Sequence, residues 1–242
     1  MQEELKKLEE KFRNLAPGSF KHCQNVENLC ESVSLQLKID TNTIDNLKLA
    51  ARFHDIGKIN SPEYFIENVD GKNIHDNLEP KVSYNIITRH VGDSIVILLN
   101  SGFDPETLKI ISQHHGTTIL KCFYKKAQEE NPEVVDDLYR YKCNRPKSLE
   151  SAILMICDSV EATARALNAN NGLSSTDDRK KVVDSTVKRL MDDDQLDDIR
   201  VGDLKLIKRK LYSELEKIYH KREIYGDEKT VGEIKDGDIE IE

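Results

Sequence analysis

Nowhere in this 242-residue chain is there an uninterrupted apolar run near the ~20 residues that a membrane-crossing helix requires. Internal repeats and low-complexity tracts are missing too, which excludes solenoid and fibrous architectures. No segment sustains the alternation of apolar and polar residues that would build several strands. The five cysteines, Cys23, Cys30, Cys122, Cys143 and Cys157, are an odd number without CxxC spacing, and no signal-peptide pattern precedes them. Free thiols in a reducing cytosol are expected. Basic charge is not in excess: 36 Lys and Arg stand against 44 Asp and Glu, a formal net charge of -8. This balance argues against binding a nucleic-acid polymer or an anionic membrane through bulk charge, so an anionic substrate would need local cations or a metal.

What remains is helical periodicity, and the expected class is all-α. With 38% hydrophobic residues the chain can bury the core of one compact unit. Leu5, Leu8, Phe12 and Leu15 share a face of a charged lead-in helix that "APGS" interrupts. Val26, Leu29, Cys30, Val33 and Leu37 mark an amphipathic helix over 20–39, and His22, four residues before Val26, shares its inner stripe. "DTNTIDNLKLAARFHDIGK" begins with capping residues, carries His54 seven residues after Leu47, and offers Gly57 as a stop. A loop is expected over 60–77 and a helix over 80–100 carrying His90. "DPETLKIISQHHG" reads as a short helix with Asp104 as N-cap, Pro105 at N1, and His114 and His115 in its last turn. Helical structure should resume over 117–128, followed by an irregular stretch over 129–147. A long helix over 148–168 embeds Asp158 beside an apolar stripe, and amphipathic segments at 177–192 and 203–221 precede an acidic tail.

Six of the seven histidines fall between residues 22 and 115, at helix ends or on inner faces. A single inward histidine is usually a satisfied core residue. Burying His22, His54, His90, His114 and His115 together with Asp55 and Asp158 is costly unless something binds them. Imidazole nitrogens and carboxylates suit Mn, Fe or Zn, and an aspartate beside a histidine can serve two ions at once. Such a pair of ions activates water for in-line displacement at phosphorus.

The ordered set His22, His54-Asp55, His90, His114-His115 and Asp158 resembles the HD superfamily of metal-dependent phosphohydrolases in its binuclear form. More narrowly, "APGSFKHCQNV", "FHDIGK", "PEYFIEN", "HDNLEP", "QHHGTT", "FYKKA", "ILMICDSVEA" and "IYHKREIYG" are similar to the cytosolic catalytic domain of the seven-transmembrane HD phosphodiesterases that degrade cyclic di-AMP. "HHGTTILKCFY" stands where the cyclic di-GMP branch carries Gly-Tyr-Pro. The resemblance implies an HD-domain helical bundle with a binuclear metal site in its core. It divides the chain into a lead-in over 1–18, a phosphohydrolase domain over 19–225 and an acidic, mobile tail over 226–242. It also implies that His22, His54 and Asp158 hold one ion and His90, His114 and His115 the other, with Asp55 bridging, both ions being Mn or Fe. A hydroxide between the ions would open cyclic di-AMP to linear pApA while Lys58 reaches a substrate phosphate.

Other positions keep two readings. His75-Asp76 either touches substrate from a loop over the site or forms a plain turn. Thr117 and Thr118 either contact substrate or begin the next helix, and Arg165 either approaches the pocket or pairs with Glu161 on the surface. His220 is expected to pack or to interact with a helix dipole, and Cys23 stands where relatives commonly carry serine. The implied setting is the cytoplasm, with membrane attachment only through a segment absent from this chain, and the implied partner is a cyclic dinucleotide, with a homodimer an open option. Alternatives are an HD-type hydrolase of nucleotide monoesters or dinucleoside polyphosphates, and a cyclic-dinucleotide receptor that does not cleave its ligand.

Overall fold

The computed structural model describes residues 2–69, 71, 73–170 and 172–219. The acidic tail and His220 lie outside them. Among the described residues nine α-helices follow one another: α1 (Gln2–Leu15), α2 (Pro17–Leu37), α3 (Thr41–Phe53), α4 (Pro80–Asn100), α5 (Pro105–Ser112), α6 (Lys121–Glu130), α7 (Leu149–Ala169), α8 (Thr176–Asp192) and α9 (Val201–Tyr219). No strand occurs there, only one isolated bridge between Ile119 and Arg140. The fold is all-α, as the periodicity predicts, and no described helix is long and apolar enough to cross a membrane.

Helix starts follow local chemistry. The Asp40, Asp104 and Ser148 side chains accept hydrogen bonds from the free amides that open α3, α5 and α7, and Ser175 with Asp178 forms a reciprocal capping box on α8. Burial then selects the faces. α2, α3, α5, α7, α8 and α9 enclose the main core, and Phe12 of the lead-in helix is part of it. A smaller, aromatic core of Phe65, Tyr84, Phe123, Tyr139 and Tyr141 lies between α4, α6 and the long loop before α7.

Several boundaries differ from the sequence reading. The helix carrying His54 stops at Phe53, before Gly57, which sits in a 3-10 turn over Ile56–Asn60. Gly57 serves close approach instead: a Cβ there would lie 2.1 Å from the His90 carbonyl oxygen. His114 and His115 fall beyond α5 rather than in its last turn, because the chain tightens at Gln113 and turns at Gly116 with φ +53°. Helix α6 starts only at Lys121, since 117–120 is drawn out to pair with the loop before α7: Leu120 N donates to Tyr139 O at 3.0 Å and Tyr141 N to Thr118 O at 2.9 Å. The 60–77 loop is a chain of 3-10 turns, and 129–147 holds one more at Asp136–Tyr139.

Candidate metal centre

Five structural elements converge on one buried cluster. α2 supplies His22, the turn after α3 supplies His54 and Asp55, α4 supplies His90, the turn after α5 supplies His114 and His115, and α7 supplies Asp158. His115 is partly exposed and the other six are buried. Their donor atoms fall into two groups, His22 with His54 and Asp158, and Asp55 with His90, His114 and His115, each within 4.8 Å of one another. Asp55 lies between the groups: Oδ2 is 3.5 Å from His54 Nε2 and 3.7 Å from His22 Nε2, while Oδ1 is 3.2 Å from His90 Nε2 and 3.9 Å from His114 Nε2.

Helix-end geometry aims the rings. His54, His90 and His114 each donate from Nδ1 to the carbonyl three residues earlier, Ala51 at 2.8 Å, Ile87 at 2.6 Å and Ile111 at 2.6 Å. This bond fixes the tautomer and turns a lone pair on Nε2 toward the cluster. His22 is oriented differently: its Nδ1 donates to Glu161, whose other oxygen accepts from Asn25 Nδ2 at 2.8 Å. His115 stacks on Tyr141, with ring centroids 4.3 Å apart.

A metal fits this donor set. His54 Nε2, His114 Nε2 and Asp55 Oδ1 are buried without a hydrogen-bond partner, although such atoms are costly to desolvate. All three face the cluster, and all are nitrogen or oxygen donors that a divalent transition ion accepts. A third grouping, Cys23 with His54 and Asp55, competes poorly. The Cys23 sulfur sits 3.6 Å from His54 Nδ1, the nitrogen already committed to Ala51.

The charges are mutually enforced. Burial works against ionising Asp55, but Lys58, paired with its Oδ2 at 2.9 Å, holds the carboxyl well below the usual carboxylate range. Asp158 is likewise kept ionised against burial by His22, whose Nε2 donates to its Oδ1 at 2.9 Å. Burial opposes the charge on His22, yet Glu161 and Asp158 push its pKa up to about 10. For His114, burial pushes the pKa down to about 3, so this ring is a neutral donor.

The remaining sequence candidates separate. Lys58 Nζ adjoins the cluster, paired with Asp55 Oδ2 at 2.9 Å and Glu67 Oε1 at 2.8 Å. His75 is buried against Tyr64 and Phe123 with Nε2 donating to Tyr64 O at 2.9 Å, and Asp76 faces outward, 3.7 Å from Lys126. Thr117 and Thr118 do not begin a helix. The Thr117 amide donates to Gln195 at 2.9 Å, and Thr118 Oγ1 donates to the His115 carbonyl at 2.8 Å. Arg165 does pair with Glu161, Nε to Oε2 at 3.4 Å, but Glu161 is fully buried at the back of His22 and not on the surface. Glu161, Glu67 and Tyr141 are the neighbours that sequence reasoning left without a role. For Glu161 the signal was present, three residues after Asp158 on the same helical face.

A buried His-Asp cluster set by helix ends in an all-helical fold defines a class of metal-binding domain. The chain belongs to the HD-domain family, whose model matches residues 19–163. Members of this family of phosphohydrolases depend on metal. Two curated relatives are both called cyclic-di-AMP phosphodiesterase PgpH. The one from Listeria monocytogenes serotype 1/2a (strain 10403S) is 38% identical over 88% of this chain and 29% of its own length. The one from Bacillus subtilis (strain 168) is 34% identical over 85% of this chain and 28% of its own. The chain thus spans under a third of these relatives. The crystal structure of the L. monocytogenes PgpH HD domain in complex with cyclic-di-AMP superposes with a TM-score of 0.79 at 35% identity, covering 88% of this chain and 97% of that one.

Proposed function

We propose that the chain is a metal-dependent phosphodiesterase domain that hydrolyses cyclic di-AMP to linear pApA. One observation carries the reading: Asp55 lies between two groups of inward-facing donors, an arrangement suited to a pair of divalent ions, Mn or Fe. Likeness to the HD domain of proteins called cyclic-di-AMP phosphodiesterases supplies the substrate. When bound, two such ions activate water and offset the charge of an in-line displacement at phosphorus.

The chain's own residues do the rest. His22, His54 and Asp158 would serve one position and His90, His114 and His115 the other, and Asp55, with one oxygen toward each group, would serve both. Asp55 and Asp158 stay ionised, and His54, His90 and His114 keep their Nε2 lone pairs directed inward. Lys58 carries a buried, partnered charge that burial disfavours but Asp55 and Glu67 hold firmly protonated. A substrate phosphate entering the cluster would draw Nζ away from Glu67, so the cation meets the equatorial oxygens already desolvated. Thr117 and Thr118, on the drawn-out segment after His115, would contact the nucleotide, and Arg165 would act indirectly, through Glu161. His75 braces the 61–69 turns through Tyr64, and Asp76 stays outside the catalytic set. The catalytic unit spans 19–225, with α1 packed on it through Phe12.

The test is a chromatographic time course of cyclic di-AMP and cyclic di-GMP with Mn-supplied protein beside an Asp55→Ala variant. Conversion of cyclic di-AMP to pApA by the parent alone is the expected result. No turnover by metal-loaded parent overturns the reading.

A further inference from the structure

The inward histidines are not all held alike. His22, His54, His90 and His114 each pass a ring proton to an oxygen behind them. His115 has no such bond among the described residues: its Nε2 is 3.2 Å from His90 Nε2 and its Nδ1 is 3.8 Å from Asp158 Oδ2, so both ring nitrogens face the cluster. Its ring is placed only by the stack on Tyr141 and by where its own backbone lies. That backbone is tied down from far along the chain. Gly116 turns with φ +53°, and Thr117 directly after it is held at three points. Its amide donates to Gln195 Oε1 at 2.9 Å, its carbonyl accepts from Arg140 Nη1 at 2.9 Å, and its hydroxyl accepts from Gln195 Nε2 at 2.9 Å. Gln195 lies in the link between α8 and α9, most of which is exposed, yet Gln195 itself is only 1% exposed. Its amide can sit only one way round, because the Thr117 N–H can only donate; Nε2 is then left to Thr117 Oγ1 and, at 2.7 Å, to the Asp193 carbonyl. A Cβ on Gly116 would lie 2.4 Å from the same Oε1, so the turn rests directly on this side chain. Arg140 closes the frame by also donating from Nη1 to Asp193 Oδ1 at 2.8 Å. Burying an amide is costly unless its bonds are made, so what this position offers beyond an apolar residue is its hold on Thr117.

We infer that Gln195 is a positioning residue for the metal centre: through the Thr117 backbone it fixes the turn that carries His115. It thereby sets the fit of the donor group of Asp55, His90, His114 and His115, and leaves the group of His22, His54 and Asp158 as it is. The inference rests on the proposed pair of ions. Gln195 touches neither ion nor substrate; it makes the α8–α9 link a support for one of the two ion positions.

The test is a calorimetric titration of Mn into the full chelator-treated chain, with Tm measured separately, for the parent, Gln195→Met, Gln195→Glu and Leu211→Ala. Met keeps the length of glutamine without its bonds, and Glu keeps the oxygen that the Thr117 amide needs. Leu211, fully buried on α9, serves as the control, since its truncation weakens the core and leaves the Gln195 amide in place. In Gln195→Met the affinity for one Mn should fall about tenfold while the other is unchanged, and Gln195→Glu should recover part of that loss. Leu211→Ala should lower Tm at least as much as Gln195→Met yet bind both ions as the parent does. Parent-like binding by Gln195→Met, equal weakening at both positions, a Gln195→Glu chain as weak as Gln195→Met, or the same selective loss in Leu211→Ala overturns the inference. A parent that takes up fewer than two Mn overturns the pair of ions and this inference with it. Cyclic di-AMP turnover is followed on the same samples: a parent that binds two Mn and cleaves nothing ends the phosphodiesterase reading alone, and the role of Gln195 is still decided by the titration.

Discussion

His22 is held by a carboxylate, where the rings of His54, His90 and His114 are held by backbone carbonyls. A carboxylate behind an imidazole raises its basicity and fixes its orientation, and losing such a partner costs about 10–100-fold in metal affinity. Glu161→Gln should therefore weaken metal retention by about that factor in a chelator competition, while Glu161→Ala weakens it further; equal retention by parent and Gln variant would reduce Glu161 to a filler of the core. The i,i+4 spacing of Glu161 and Arg165 is legible in the sequence, but which side of α7 faces inward is fixed only by packing against α2. A surface reading of that pair was the natural error. Glu67 was hidden for another reason, since it reaches Lys58 from a string of 3-10 turns that has no hydrophobic period to read. Burial raises its carboxyl pKa, but Lys58 and then Arg165 outweigh this and bring it to about 2 from an ordinary 4.5. A folded pKa below the unfolded one means that the stability it contributes is present above about pH 4.5 and is lost as pH falls toward about 2. Glu67→Gln should accordingly lower stability by about 2 kcal/mol at neutral pH, with the gap to the parent closing in urea titrations across that acid range.

At the level of elements, the turn after α3 and helix α4 touch backbone to backbone. Gly57 N donates to Ser94 Oγ at 2.8 Å, and a Cβ at residue 57 would meet His90 O at 2.1 Å and Ser94 N at 2.6 Å. Neither atom belongs to a side chain that can swing away. Gly57→Ala should thus cost about 3 kcal/mol by forced separation, and because it displaces His90 it should also lower bound metal per chain. Unchanged urea midpoints would show that α4 can slide without loss. Most elements were legible because caps and 3.6-residue periodicity agree, as at Asp104-Pro105 for α5 and in the Pro80–Asn100 span of α4. The misread ends share a cause: what stops the chain at Phe53 and holds back α6 until Lys121 is contact with distant backbone, Gly57 against α4 and Thr118 against Tyr141. Local sequence carries no mark of those contacts. The candidate donors that the fold gathers, by contrast, could be picked out in order, because each sits at a helix end or on an apolar stripe that the sequence does mark.

Across the whole molecule, the cluster ties together α2, α4, α7 and the turns that close α3 and α5, so occupancy of the site and stability of the fold are linked. Three buried donor or acceptor atoms without hydrogen bonds, on His54, Asp55 and His114, are a cost the folded chain carries until a cation shares their lone pairs. An ion that binds the folded chain and not the unfolded one stabilises it by about 2.7 kcal/mol at a free concentration 100 times its Kd. For a chain of this size each kcal/mol corresponds to about 2–4 °C in Tm. Calorimetry should then show a rise of about 5–10 °C when Mn is added to chelator-treated protein, and a return to the starting Tm on renewed chelation. Asp55→Ala removes the carboxylate that lies between the two donor groups, so its Tm should respond much less to Mn even if the variant folds well. A parent whose Tm ignores Mn, or a variant that gains as much as the parent, would mean that the ion does not bind among these helices.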